Sequence, residues 1–201
     1  MAGVFSVYAE LVHIVVSQGV GVKSVRDFRG KRVALGPPGS GTEQNALQIL
    51  AANGIGVADL RVAERVPFAA AADHLRAGHV DAAFFTVAPG ASVVAEALAF
   101  GRLELLSVGQ TAGETLERKY PFYTMGEIPA KTYKGHDRET ATPAVMATLV
   151  ARADLAEDLV PQFHAAHPAA RSLTPQTAPA GMALPLHPGA QRFFKEKGIA
   201  R

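Results

Sequence analysis

Short apolar runs alternate with longer helix-forming segments along the first two thirds of the chain. This alternation indicates strands joined by crossover helices, because a crossover of about a dozen residues brings the next strand back parallel to the last. The apolar runs predict strands at residues 11–16, 31–36, 61–66, 80–87 and 103–108. The segments between them predict helices at residues 42–53, 69–77, 91–100 and 112–119. The pattern therefore predicts an α/β fold with a doubly wound, mainly parallel sheet.

The last third of the chain carries weaker signals. Residues 123–129 are extended and residues 143–152 form an apolar strand candidate, with the polar loop KTYKGHDRET between them. Helices are expected at 155–166 and 188–197, the second of which begins with proline and ends at glycine. Residues 172–181 (SLTPQTAPAG) have the composition of a linker.

Composition and charge exclude several classes of protein. The 201 residues include 20 Lys and Arg against 18 Asp and Glu, with no basic cluster, which argues against a nucleic-acid partner. The absence of cysteine excludes disulfides and thiolate metal sites. His164 and His167 have no Glu at metal-ligand spacing, so we expect neither a metal nor a cofactor. The first 16 residues lack the features of a secretory signal peptide, and no apolar run approaches the roughly 20 residues that span a bilayer.

A glycine-rich loop, Gly36–Glu43 (GPPGSGTE), lies between a predicted strand and a predicted helix. Open parallel sheets bind ligands at this edge, and the N–H groups of a helix start favour an anion. The hydroxyls of Ser40 and Thr42 add donors. The loop is not a phosphate-binding P-loop, because Thr42 stands where the essential lysine is needed and Glu43 would repel a triphosphate. A carboxylate is therefore favoured, with a loop that only turns the chain and caps the helix as the alternative.

A second loop after a predicted strand begins at Thr86 and is expected on the same edge of the sheet, although a simple turn and cap would explain it equally well. Asp81, at the other end of that strand, is interpreted as a turn or cap residue. His13 is interpreted as a buried or cleft-lining histidine. The chain has neither the G-x-S-x-G pattern nor paired carboxylates, so we expect no catalytic residues.

Tyrosines add a candidate cleft wall. Tyr123 closes the aromatic cluster KYPFY, and Tyr8 lies before the first predicted strand. A tyrosine offers an apolar face and a hydroxyl, which suits a small-molecule cleft. The two side chains are expected to flank the same crossing between lobes, whereas core packing is the alternative for this cluster.

Five stretches of the chain occur in the order of one known family. They are YAELVHIVV (8–16), SVRDFRGKRVALGPPGSGTEQNA (24–46), VDAAFFTVAPGA (80–91), KYPFYTMGEIPAKTYKG (119–135) and LPLHPGAQRFFKEKGI (184–199). Together they resemble the TAXI family, the TRAP-associated extracytoplasmic solute receptors, which are the binding subunits of tripartite ATP-independent transporters.

The resemblance implies an α/β fold of the periplasmic-binding-protein type II kind, with one complete doubly wound lobe and a partial second lobe. It implies a periplasmic receptor that binds a small carboxylate ligand, such as a glutamate- or glutamine-like amino acid or a dicarboxylate, without catalysis. The receptor would deliver this solute to TRAP membrane permease subunits. The ligand-binding positions that the resemblance implies are Ser40, Gly41, Thr42, Thr86, Tyr123 and Tyr8.

The family's signal peptide and most of its first lobe have no counterpart in this sequence. We therefore expect an N-terminally truncated receptor, with a complete lobe at 17–125 and the hinge strands and remnant of the other lobe at 1–16 and 126–201. The lobe face left exposed would favour self-association. Two alternatives stay open: an α/β enzyme acting on a small anionic substrate, and a degenerate binding module without a ligand.

Overall fold

The computed structural model describes residues 1–166, 178, 181–182 and 184–198, and it describes no side chains for 164–166. Apart from Ala178 and Gly181, the predicted linker lies outside the described residues. His167 lies outside them as well.

The described residues form strands and helices in the predicted order. The strands are β1 (Ala2–Ser17), β2 (Arg32–Ala34), β3 (Val62–Glu64), β4 (Ala82–Val87), β5 (Leu103–Leu105), β6 (Thr124–Ile128) and β7 (Thr140–Ala151). The helices are α1 (Gly41–Ala52), α2 (Phe68–Ala77), α3 (Ser92–Leu98), α4 (Gln110–Lys119), α5 (Leu159–Ala166) and α6 (Pro188–Glu196). The α/β class is therefore confirmed.

β1 starts well before the predicted strand. Its first residues are extended because they pair with a distant part of the chain: Gly3 bridges to Leu186 in parallel and donates its N–H to Pro185 O at 2.9 Å. The placement of Tyr8 before the first strand is consequently wrong, since Tyr8 lies inside β1. Nothing in the local sequence indicated this long-range partner.

The strands form one mixed sheet in the order β3-β2-β4-β1-β7-β6, with β5 also paired to β1. β2 lies between β3 and β4 and is parallel to both, as the alternation predicted. β1 is antiparallel to β4 and β5, and β6 is antiparallel to β7. The expectation of a mainly parallel sheet therefore holds for β2, β3 and β4 and is wrong for β1.

The short connection after β1 explains its direction. Val16 of β1 and Val33 of β2 both lie beside Ala82, so β2 begins at the edge where β1 ends. The connecting residues contain one 3₁₀ turn, Val25–Phe28, and no crossover helix. Without a crossover the chain cannot return to the other edge, and β2 must run opposite to β1.

Helices cover both faces of β4. Successive strand side chains point to opposite faces, and Phe85 packs on Phe68 of α2 with ring centroids 5.5 Å apart. Phe84 instead packs edge-on against Phe28 at 6.1 Å. α1 and α4 pack against each other on the face of Phe84. α2 and α3 pack against each other on the face of Phe85. This two-sided arrangement is the doubly wound lobe that the sequence predicted.

The chain divides into two compact units. One comprises residues 10–144 and the other residues 1–9 with 145–201. The larger unit extends past the predicted lobe of 17–125, because the second half of β1 pairs with β4 and β5 and because β6 pairs with the start of β7.

The smaller unit has a core of its own. The Phe5 ring of β1 packs against Phe193 and Phe194 of α6, at centroid distances of 5.7 and 5.8 Å. His187 caps α6 through its Nδ1 atom, which accepts the Gly189 N–H at 3.1 Å. In the part of the chain that the structure describes, no helix combines the length and apolar character needed to cross a bilayer.

Candidate functional site

Three parallel strands end at the same edge of the sheet; polar residues follow β2 and β3, and an apolar loop follows β4. The loop Gly36–Glu43 follows β2, Arg65 follows β3, and residues 88–91 follow Thr86 and Val87 of β4. The pairing of Thr86 with Thr42 joins two of these segments, since the Thr86 N–H lies 3.4 Å from Thr42 Oγ1. The predicted convergence of the two loops on one edge therefore holds.

The glycine-rich loop caps α1. Ser40 is extended, with φ −78° and ψ 159°, and its Oγ accepts the Glu43 N–H at 3.1 Å. Gly36 has φ 105°, and a Cβ at that position would lie 2.8 Å from Thr42 Cγ2, so only glycine fits there. The capping role that the sequence left open is confirmed.

Donor groups remain at the start of α1 after capping. Gly41 and Thr42 occupy the first two positions of the helix, so their N–H groups have no acceptor inside it. The Ser40 hydroxyl uses its oxygen as the cap acceptor and keeps its own hydrogen for donation. Gly41 is exposed and Ser40 is half-buried. This helix start can therefore offer N–H and O–H donors to an anion from solvent.

The carboxylate of Glu43 is already paired within the loop. It accepts the Gly39 N–H at 2.7 Å and forms an ion pair with Arg65 Nε. The Arg65 guanidinium and the Gly39 N–H hold the pKa of Glu43 below its usual range. From the sequence alone, Glu43 was expected to repel a triphosphate. Its pairing with Arg65 reduces that repulsion, because the two charges together are neutral.

A buried polar network joins Thr86 and Tyr123 to α1. Asn45 Nδ2 donates to Thr86 Oγ1 at 3.0 Å. The Tyr123 hydroxyl donates to Asn45 Oδ1 or to Gln48 Oε1, each 2.6 Å away. Thr42, Thr86 and Tyr123 are 3–8% exposed, and burial raises the pKa of the Tyr123 hydroxyl. The side-chain oxygens of Thr86 and Tyr123 are therefore both engaged with amide side chains of α1.

Asn45 and Gln48 are members of this network that sequence reasoning missed. They stand three residues apart on α1, among apolar residues that carry the helical period. Two amides at that spacing on a largely buried helix face were the available signal, because a buried amide needs partners.

Tyr8 and the other predicted site residues belong to different compact units. Tyr8 belongs to the unit of residues 1–9 and 145–201, and 42% of its surface is exposed. Ser40, Gly41, Thr42, Thr86 and Tyr123 all belong to the unit of residues 10–144.

Asp81 forms an ion pair with Arg32 rather than the turn or cap that the sequence indicated, whereas His13 is buried as expected. Asp81 accepts the Arg32 backbone N–H at 2.8 Å and pairs with its Nη2 at 2.6 Å. Burial raises the pKa of Asp81, but the hydrogen bonds from Arg32 outweigh it and leave the pKa below its ordinary value. His13 is fully buried, as its apolar surroundings suggested. Among the described residues, no group of three or more His, Asp or Glu side chains is placed to hold a metal ion.

The comparison with protein families identifies the group to which the sequence belongs. The profile of the NMT1-like family matches residues 1–198, nearly the whole sequence. The chain belongs to the NMT1-like family. For this family member, the resemblance to TAXI receptors remains a prediction.

Solved structures of periplasmic and other binding proteins are similar to this NMT1-like chain. They include the periplasmic aliphatic sulphonate binding protein SsuA from Escherichia coli, with 19% identity over 72% of this chain and a TM-score of 0.44. The alkanesulfonate-binding protein SsuA from Xanthomonas axonopodis pv. citri, bound to MOPS, has 27% identity over 54% of this chain and a TM-score of 0.44. An ancestral arginine-binding protein bound to arginine has 18% identity over 83% of this chain and a TM-score of 0.44. This chain spans 41%, 36% and 56% of those three proteins, respectively.

Proposed function

We propose that this chain belongs to an extracytoplasmic solute-binding receptor, which binds a small anionic solute without catalysis and passes it to the membrane subunits of a transporter. The observation that carries the proposal is the start of α1, where the N–H groups of Gly41 and Thr42 lack acceptors within the helix. This helix start lies at the carboxyl edge of parallel strands, where open α/β sheets bind ligands. The helix dipole further favours a negative charge there.

The finer proposal is that the solute is a small carboxylate, a glutamate- or glutamine-like amino acid or a dicarboxylate, and that the transporter is of the TRAP type. Ser40, Gly41 and Thr42 hold the carboxylate in this proposal. Two N–H groups and one hydroxyl match the acceptor sites of one carboxylate group. A triphosphate needs more positive charge than this loop offers, because Arg65 is already paired with Glu43.

Thr86, Tyr123 and Tyr8 complete the proposed set of site residues. Tyr123 is 3% exposed and its hydroxyl is engaged with α1, so its part in binding is to hold α1 in place. Thr86 acts on the solute mainly by fixing the loop that follows β4. Tyr8, whose ring is exposed, is included because the family resemblance implies it.

The proposal is tested by calorimetric titration of the purified chain with glutamate, glutamine, 2-oxoglutarate, methanesulfonate and, as a cationic control, methylammonium. Glutamate and methanesulfonate differ in the anionic group, and helix N–H groups can donate to the oxygens of either. We expect at least one carboxylate to bind more tightly than methanesulfonate, and methylammonium not to bind. The amide resonances of Gly41 and Thr42 should shift on binding.

Each other result overturns a defined part of the proposal. Tighter binding of methanesulfonate would keep the anion site and remove the carboxylate assignment. Binding that leaves the Gly41 and Thr42 resonances unchanged would remove the α1 site. Absence of binding by every anion would contradict the receptor function proposed for this chain.

A further inference from the structure

Three separate segments of the larger unit meet at the hydroxyl of Tyr133. The Gly90 N–H, in the loop between β4 and α3, donates to Tyr133 Oη at 3.0 Å. Tyr133 Oη lies 2.9 Å from His13 Nε2, and His13 Nδ1 lies 2.9 Å from Leu11 O. Tyr133 is 3% exposed and His13 is fully buried. The hydroxyl therefore links β1 to the loop after β4.

The hydrogen-bond partners of His13 and Tyr133 indicate which atom of each side chain carries the hydrogen. A carbonyl only accepts, so His13 Nδ1 carries a hydrogen and donates it to Leu11 O. Burial lowers the pKa of His13 to about 4, so the ring is neutral at pH 7 and its Nε2 atom accepts. Tyr133 must then donate its hydrogen to His13, which leaves its oxygen to accept the Gly90 N–H. His13 thereby orients the tyrosine hydroxyl toward the loop as an acceptor.

The segment that carries Tyr133 holds an unfavourable backbone conformation. Among the described residues, Lys131 is the non-glycine residue with a positive φ, at 65°. This conformation costs roughly 1 kcal/mol for such a residue and persists where surrounding contacts enforce it. The turn is closed by the Lys131 N–H, which donates to His136 O at 2.6 Å. Two residues further along, the Tyr133 side chain joins the buried apolar cluster that also contains Phe85 and Val94.

The loop that receives this hydrogen bond is at the proposed site. Residues 88–91 follow Thr86 at the edge where Gly36–Glu43 also lies. Gly90 has φ 85°, a conformation that glycine leaves easily for others because it has no Cβ. The bond to Tyr133 therefore restrains the most mobile type of residue in the loop, immediately before α3 begins at Ser92.

We propose that Tyr133, oriented by His13, is a positioning residue that holds the loop of residues 88–91 in the conformation that binds solute. The expected effect on solute binding rests on the proposed function. The restraint of Gly90 by Tyr133 does not depend on any solute. Tyr133 itself contacts the loop backbone, so its effect on affinity comes through the loop.

Tyr133→Phe tests the structural part, because it removes the hydroxyl and keeps the ring that packs edge-on against His13 at 5.6 Å. We expect amide hydrogen exchange at Gly90 to accelerate about tenfold or more, as expected for loss of one hydrogen bond. Tyr123→Phe is the matched control, since it also removes a buried hydroxyl but one bonded to α1. In that variant, exchange at Gly90 should stay within about twofold of the parent chain.

The nitrogen shifts of His13 supply a second readout. In the parent chain they should report a neutral ring protonated at Nδ1. In Tyr133→Phe the Nε2 shift should move, because Nε2 loses its donor, while Nδ1 stays protonated. Glutamate titration of the same variants then measures the consequence for binding, with an expected loss of about tenfold in Tyr133→Phe relative to the parent chain.

The outcomes separate the inference from the proposed function. Unchanged exchange at Gly90 in Tyr133→Phe, or equal acceleration in Tyr123→Phe, would overturn the positioning role. Faster exchange with unaltered glutamate affinity would overturn the link between this loop and binding. A parent chain that binds none of glutamate, glutamine and 2-oxoglutarate would contradict the carboxylate assignment, while the exchange measurement would still decide the role of Tyr133.

Discussion

Single polar side chains fix the geometry around the candidate site. Ser40 accepts the Glu43 N–H at the start of α1, Glu43 accepts the Gly39 N–H in the preceding loop, and Tyr133 accepts the Gly90 N–H. Without these bonds the N–H groups would need water as their partner. A buried polar group without any partner lowers the free energy of unfolding by about 1–3 kcal/mol. These residues therefore determine which backbone donors remain for a solute.

The burial of His13 predicts that the free energy of unfolding falls as the pH is lowered below 6.5. The pKa of His13 falls from 6.5 to about 4 on folding, with burial as the main cause and repulsion from His136 adding to it. Hydrogen bonds to the Leu11 and Phe85 backbone favour the protonated ring and act in the opposite direction. Between these two values the unfolded chain binds a proton that the folded chain does not. The free energy of unfolding should therefore fall by about 1.4 kcal/mol per pH unit from pH 6.5 down to about 4, and no further below it through this group.

Urea unfolding of the parent chain and of His13→Gln, measured from pH 7.5 to 4, checks this prediction. The variant should be less stable at pH 7.5, because the bonds to Tyr133 and Leu11 change. Its stability should decline less over this range, because glutamine does not titrate. Equal declines in the two proteins would contradict the assignment of this pH dependence to His13.

Residue types along the sequence were sufficient to predict the loop but not its internal partners. Gly36 to Glu43 indicated a turn and a cap from glycine and serine alone, and the cap is present. Arg65 pairs with Glu43 across 22 positions, and Tyr133 reaches His13 across 120. Such pairs depend on which strands lie side by side, and no local pattern encodes that.

At the scale of elements, α1 is held both at its start and along its buried face. The cap at Ser40 fixes where the helix begins, and Asn45 ties the helix to β4 and to the segment before β6. An element restrained at both places keeps the N–H groups of its first turn in a fixed direction. The anion site that we propose depends on that restraint.

Asn45→Ala should therefore destabilise the chain by about 2 kcal/mol, because it leaves Thr86 without its buried amide donor and opens space beside Tyr123. Gln44→Ala is the matched control on the preceding, exposed position of α1 and should change stability by less than about 0.5 kcal/mol. Urea unfolding at pH 7.5 measures both. Equal losses in the two variants would contradict a structural role for the buried network.

Element order was predictable from the alternation of apolar runs and helical segments, whereas strand direction was only partly so. β2, β3 and β4 are parallel because each is followed by a crossover helix. The direction of β1 depends on the absence of a crossover in residues 18–31, and its extension to Ala2 depends on pairing near Leu186. Long-range pairing of this kind leaves no periodic signal in a single sequence.

For the whole molecule, two compact units and a family match over residues 1–198 frame the proposed function. The described site residues around α1 all lie in the unit of residues 10–144. The central claim is that the first N–H groups of α1 bind an anionic solute. Among these donors, the N–H of Gly41 can be removed by a single substitution.

Gly41→Pro tests that claim most directly, because it deletes one N–H at a helix position that proline favours. Ser40 already has the extended conformation required before proline. Gly41→Ala is the matched control, since it keeps the N–H and its Cβ meets no atom within 4 Å. Calorimetric titration with glutamate should show affinity reduced about tenfold in Gly41→Pro and within about twofold of the parent in Gly41→Ala. Equal affinity in Gly41→Pro and Gly41→Ala would contradict the account.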